Sequence, residues 1–215
     1  SLDNSGLDVD ANSSVTDLEV GHITPVSIAQ GVILSGGLEV TAGSIKLNET
    51  GTIASTVSMS GGTLDVDESS TLSGALTQSG NITIDVANNK TLNYSGAALD
   101  IGANTLTLSG GGTLGNYNDL VLNNANSKIL LNSISVSKVG TSADSLGLDV
   151  DTNSTVNSLS VSHITPLSIA AGTSLNGAIS ISAGSIKLNE TGTLASTLAM
   201  SGGTLDVDET ASVSG

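Results

Sequence analysis

Phenylalanine, tryptophan, cysteine and arginine are missing from this 215-residue chain, and tyrosine occurs only at Tyr94 and Tyr117. A globule of this length ordinarily fills a wide core with aromatic rings, so their scarcity points to a thin interior of Leu, Ile, Val and Ala. The lack of cysteine leaves no disulfides by which to place the chain and is compatible with export. Five lysines stand against 20 carboxylates, a net charge of −15. Phosphate contacts need Lys and Arg, so the composition excludes nucleic acid and disfavours an anionic membrane surface. Cations, neutral sugars and proteins remain as partners. No apolar run approaches the roughly 18 residues of a membrane span. Ser1 does not open a signal peptide, so the expectation is a mature chain or one cut from something longer.

What is present is a pattern. Gly61 to Gly74 reads GGTLDVDESSTLSG and returns as GGTLDVDETASVSG at Gly202 to Gly215. Its aliphatics Leu64, Val66 and Leu72 have counterparts about every 20 residues: Leu7/Val9/Val15, Val26/Ile28/Leu34, Ile45/Leu47/Ile53, Ile84/Val86/Leu92 and Leu106/Leu108/Leu114. The series resumes at Leu148/Val150/Val156, Leu167/Ile169/Leu175, Ile186/Leu188/Leu194 and Leu205/Val207/Val213. Such regularity is foreign to disordered chains. In Leu64-Asp65-Val66-Asp67 both aliphatics turn to one face and both acids to the other. Bends fall on Gly36-Gly37, Gly61-Gly62, Gly80-Asn81, Asn88-Asn89 and Gly110-Gly111-Gly112, residues that tolerate turn conformations.

The sequence therefore predicts an all-β, parallel β-solenoid: about eleven three-stranded coils of about 20 residues, one continuous body over 1–215. Helix is disfavoured by the β-branched and glycine content. A sandwich would vary its strand and loop lengths more than this near-fixed pitch allows. Leu64, Ile84 and Leu106 are expected in one column. Lys128–Val139, with Leu130 at an outward place, is expected to form an offset coil. Pro25 and Pro166, in the two HITP elements, are expected at corners because proline lacks a ladder donor.

A longer repeat contains the shorter one. Gly6–Gly74 and Gly147–Gly215 are identical at 46 of 69 positions with an offset of 141 residues, while 75–146 occurs once. The expectation is an excerpt of a longer shaft.

GANTLTLSGGGTL at Gly102–Leu114 and SGGTLDVDESSTLSG at Ser60–Gly74 resemble the Gly-Thr-Leu repeats of bacterial autotransporter passengers and filamentous-haemagglutinin-like exoproteins. The resemblance runs through most of the chain on motifs of low specificity. It implies a secreted or cell-surface right-handed β-helix serving as an adhesin or stalk. The 141-residue repetition and the absence of arginine depart from that pattern toward a long structural array.

Candidate chemistry is sparse. Asp8-Val9-Asp10-Ala11-Asn12, continuing to Glu19, echoes a calcium loop, but Ser13 stands where that loop needs glycine, and Ser160 replaces the closing acid in the second copy. Outward Asp65, Asp67 and Asp85 could hold a weak Ca²⁺ between coils; the plainer reading is a solvated acidic face with Lys46 below Asp65 and Lys187 below Asp206. Carboxylate pairs for sugar cleavage are duplicated with the framework, unlike a unique active site. His22 and His163 recur inside HITP and read as structural. Thr105 and Thr107 are the lone Thr-x-Thr that ice binding would need as an array. The sequon Asn48-Glu49-Thr50 could accept a glycan in a host with the machinery. No catalytic, cofactor or metal residues are assigned. The expectation is a non-enzymatic shaft segment of an extracellular bacterial surface or filament protein, its partners being neighbouring repeats, end-to-end or lateral copies, and surface glycans or proteins. The alternative is a carbohydrate- or protein-binding module using its acidic or Ser/Thr-rich face; a polysaccharide-degrading enzyme comes third.

Overall fold

Alternation along each short strand gives it one aliphatic side, and that side is stable only when neighbouring coils cover it. In the computed structural model, which describes residues 6–215, the chain winds into an all-β parallel solenoid of about ten turns. Two sheets run its length. Eleven described strands, from Leu7–Val9 through Thr63–Val66 to Thr204–Val207, form the second face. Fifteen described strands form the other sheet, which folds across a corner to make the third and first faces. In the coil around Thr63–Val66, Thr56–Met59 belongs to the first face and Ser70–Leu72 to the third. All pairings between these strands are parallel; the one antiparallel contact among the described residues is an isolated bridge from Ala87 to Gly111.

Three separate strands per coil is not the general rule. In Ser13–Val20, Ile33–Val40, Ser154–Val161, Ser174–Ile181 and Thr193–Met200 the third and first strands are one bent strand of eight residues. Gly36, expected at a corner, is the bend inside Ile33–Val40. Its φ is +115°, and a Cβ there would lie 1.6 Å from the carbonyl oxygen of Val15. Gly177 repeats this in the second copy, with φ +128° and 1.8 Å to the Val156 oxygen. The opposing strand carries an extra residue at each bend, a bulge between Val15 and Leu18 and between Val156 and Leu159.

The core is built of columns of Leu, Ile and Val buried almost completely, one of them running Ile45, Leu64, Ile84, Leu108, Leu131 and Val150. The expected column is half right. Ile84 lies on Leu64, but the residue on Ile84 is Leu108, with Leu106 on Ile82. On the third face Tyr94, not Leu92, covers Leu72. Each departure is a slip of two residues, which returns the same side of the strand to the core; a slip of one would turn it out.

The HITP element is a third such slip and overturns the corner expectation. Pro25 and Pro166 lie inside the strands Ile23–Ile28 and Ile164–Ile169, beside Lys46 and Lys187. Thr24 and Thr165 consequently enter the core, their hydroxyls donating to the carbonyls of His22 and His163. The proline is tolerated because pairing with the preceding coil begins one residue later, at Leu7–Val26 and Leu148–Leu167. Gly6 and Gly147 stand where that ladder would otherwise continue; a Cβ on either would overlap the proline carbonyl. Lys128–Asn132 is likewise a regular strand and not an offset coil. Ile129 and Leu131 point inward in register with Leu148 and Val150, and the irregularity falls after Leu131.

Candidate functional site

The corners set the chemistry of the surface, because they bring side chains of successive coils within hydrogen-bonding range. Asparagine does this repeatedly. Asn12 Oδ1 accepts from Ile33 N at 3.0 Å, and its second-copy counterpart Asn153 accepts from Ser174 N at 2.9 Å. Asn81 and Asn123 do the same for Thr105 N and Gly102 N, both at 2.8 Å. Each closes a gap in the backbone ladder at a bend. The stretch from Asp8 to Glu19 is therefore the end of the strand Leu7–Val9, a corner held by Asn12 with Ser13 Oγ donating to Ala11 O, and most of the strand Ser13–Val20. On sequence grounds Asn81 is expected only as a turn former and Asn12 only as part of the acidic stretch; which backbone N–H each asparagine meets depends on the corner.

All five lysines link one coil to the next. Lys46 Nζ lies 2.9 Å from Asp65 and 3.3 Å from Asp67, Lys187 lies 3.3 Å from Asp206, Lys90 lies 2.7 Å from Glu68 and Lys128 lies 2.6 Å from Asp149. Lys138 donates to the Tyr117 carbonyl and sits 5.3 Å from the centre of its ring. The hydrogen bond to Asp65 raises the Lys46 pKa above its usual value, against the effect of burial. The third carboxylate of the candidate cation ladder, Asp85, stacks on Asp65 and accepts from Ser109 Oγ. Thus Lys46 bridges Asp65 and Asp67, and Asp85 lies beside Asp65 with a hydroxyl donor of its own. Among the described residues no three acidic or histidine side chains are grouped so as to hold a metal.

The histidines serve the HITP turn. His163 Nδ1 is 2.9 Å from Ser162 Oγ, and the backbones of His22 and His163 press against Gly43 and Gly184, where a Cβ would come within 2.4 to 2.6 Å of them. Shallow grooves of about 270 to 550 Å³ run between coils; four of them contain at most one carboxylate each, Asp119 in one and Asp85 in another. Thr107 lies beside Thr83 of the preceding coil, itself beside Thr63, but the following coil sets Lys128 and Leu130 against Thr105 and Thr107, so the threonine column ends there.

One surface differs in charge between the two copies. Of the 23 substitutions separating 6–74 from 147–215 (69 less 46), three change charge: Asp17, Glu19 and Glu39 become Ser158, Ser160 and Ser180. All three lie on the outer side of the first face, with Glu19 directly beside Glu39 and Ser160 beside Ser180. Core substitutions, by contrast, exchange one aliphatic for another, such as Val26 for Leu167 and Val40 for Ile181. The same framework thus presents an acidic first face in one copy and a hydroxyl-rich one in the other. No protein-family model matches the chain, and neither a curated protein nor a solved structure matches it.

Proposed function

We propose that this chain is a non-enzymatic shaft segment of a long extracellular bacterial surface or filament protein, of the kind that autotransporter passengers and filamentous-haemagglutinin-like exoproteins exemplify. The observation that carries the reading is the repetition of framework without repetition of a reactive centre. Core, bends, asparagine bridges and lysine–acid links recur at a 141-residue offset, and each serves the next coil. Further coils would use the same contacts. Neighbouring repeats, or end-to-end and lateral copies of the chain, are the partners this reading proposes. Repetition lengthens the molecule at about 4.8 Å per coil, or roughly 34 Å per seven-coil unit.

The test is to make chains carrying one, two and three 141-residue units and measure their lengths by electron microscopy. A constant increment near that value is expected; a length that stays flat as units are added would overturn the shaft reading. Labelling of intact cells with an antibody to the chain checks the surface location.

The divergent first face favours a second reading, a binding module for glycans or proteins. Selective capture on a glycan array that is lost when Ser160 and Ser180 are changed to glutamate would support it over a purely structural role.

A further inference from the structure

Among the described residues, strand pairing within a face is interrupted at one place, on the first face. On the first face Leu18, Leu38, Val57 and Leu76 pair in succession, and Leu99, Leu120, Val139, Leu159, Ile179 and Leu198 pair in succession. Between Leu76–Gln78 and Leu99–Asp100 there is no strand pairing. The second and third faces run through the same level unbroken, by way of Ile82–Val86 and Thr91–Tyr94. Leu76 and Leu99 are 23 residues apart where Val57 and Leu76 are 19 apart, so the coil at the break is four residues larger.

Side chains span the gap. Tyr94, the one buried aromatic, accepts from Leu76 N at 3.2 Å and donates to Ala97 O at 2.6 Å through a single hydroxyl. Gly96 leaves room for its ring, since a Cβ there would lie 2.5 Å from Tyr94 Cε2. Gln78 occupies the inward column above Met59, its Nε2 donating to Gly80 O and Thr105 O while its buried Oε1 finds no partner.

We propose that this break is a built-in joint at which the solenoid bends, opening the first face while the other two faces act as the strap. Elsewhere bending must stretch a backbone ladder on whichever face opens. Here it stretches the hydrogen bonds of two side chains. The joint concerns how the rod deforms and does not depend on what the rod carries or binds.

The absence of cysteine makes the test clean. Spin labels at Ser58→Cys and Ser160→Cys span five first-face steps across the break; labels at Asp100→Cys and Ala199→Cys span five steps of continuous ladder, each pair about 24 Å apart. Pulsed dipolar spectroscopy should give a broader distance distribution for the first pair. Tyr94→Phe, which keeps the ring and removes both bonds, should broaden that pair further and leave the control unchanged. Gln78→Ala provides a second variant if the first misfolds by circular dichroism. Amide exchange should be faster in 75–80 and 97–101 than in the flanking coils. Equal widths for the two pairs, or equal broadening of both by either variant, would overturn the joint.

Discussion

Truncating Leu64 and Leu205 asks the same question twice in identical surroundings of sequence. Both sit second in a Thr-Leu-Asp-Val strand, followed by Asp and Glu, 141 residues apart. Leu64 is 1% exposed between Ile45 and Ile84, while Leu205 is covered by Ile186 on one side only and is half-buried. Leucine to alanine removes about three methylene equivalents, or roughly 2.4 kcal/mol of transfer free energy. At Leu64 the two neighbouring coils hold their positions, so a cavity term adds to this and brings the cost to about 3–4 kcal/mol. At Leu205 water already reaches the side chain and no closed cavity forms, so about 1 kcal/mol is expected. Urea unfolding followed by circular dichroism reads both, with amide exchange to show whether the last coil opens separately, as repeat arrays can. Equal costs would refute the reasoning, because stability would then follow from local sequence and not from cover by the next coil.

Gly36→Ala should destabilise far more than Gly31→Ala. Both glycines have positive φ, costing about 1–2 kcal/mol for an L-residue, but only at Gly36 would the new Cβ overlap a carbonyl, that of Val15, while at Gly31 it meets open space. Comparable melting shifts would contradict that placement. Stability should also fall in alkali. The folded pKa of Lys46 is raised by the hydrogen bond to Asp65 and that of Tyr94 by burial, so each contribution is complete below the ordinary values of about 10 and is lost as pH rises through the higher folded values. Unfolding midpoints from pH 8 to 12 should therefore decline above about 10, less steeply in Tyr94→Phe. Calcium and chelator should leave the melting midpoint where it is, since Asp65 and Asp67 are paired with Lys46 and Asp85 is hydrogen-bonded by Ser109; a rise with calcium would reinstate a cation between the coils. Lys187→Ala should cost no more than about 1 kcal/mol, as partly exposed ion pairs do, read by the same melts.

The candidate surface was legible in part. Lysine below aspartate at Lys46–Asp65 and Lys187–Asp206 follows from strand spacing alone, because adjacent coils put like positions side by side. The asparagine bridges and the buried Tyr94 were not legible, since both depend on which loop atoms a corner brings near.

The sequence by itself determined which residues face inward and that the chain must coil. Alternation has a period of two, and burying one side of a four-residue strand requires another strand above and below it. It also determined that two stretches would fold alike, since their cores and bends are the same. Only the tertiary structure decided the register: that Leu108 and not Leu106 covers Ile84, that Pro25 lies within a strand, and that the first face is interrupted after Gln78. A shift of two residues exchanges one aliphatic for the next and leaves the buried side unchanged, so periodicity cannot distinguish the alternatives. The choice falls to side-chain volume, to the carbonyls that glycine must avoid, and to the hydrogen bonds that close each corner.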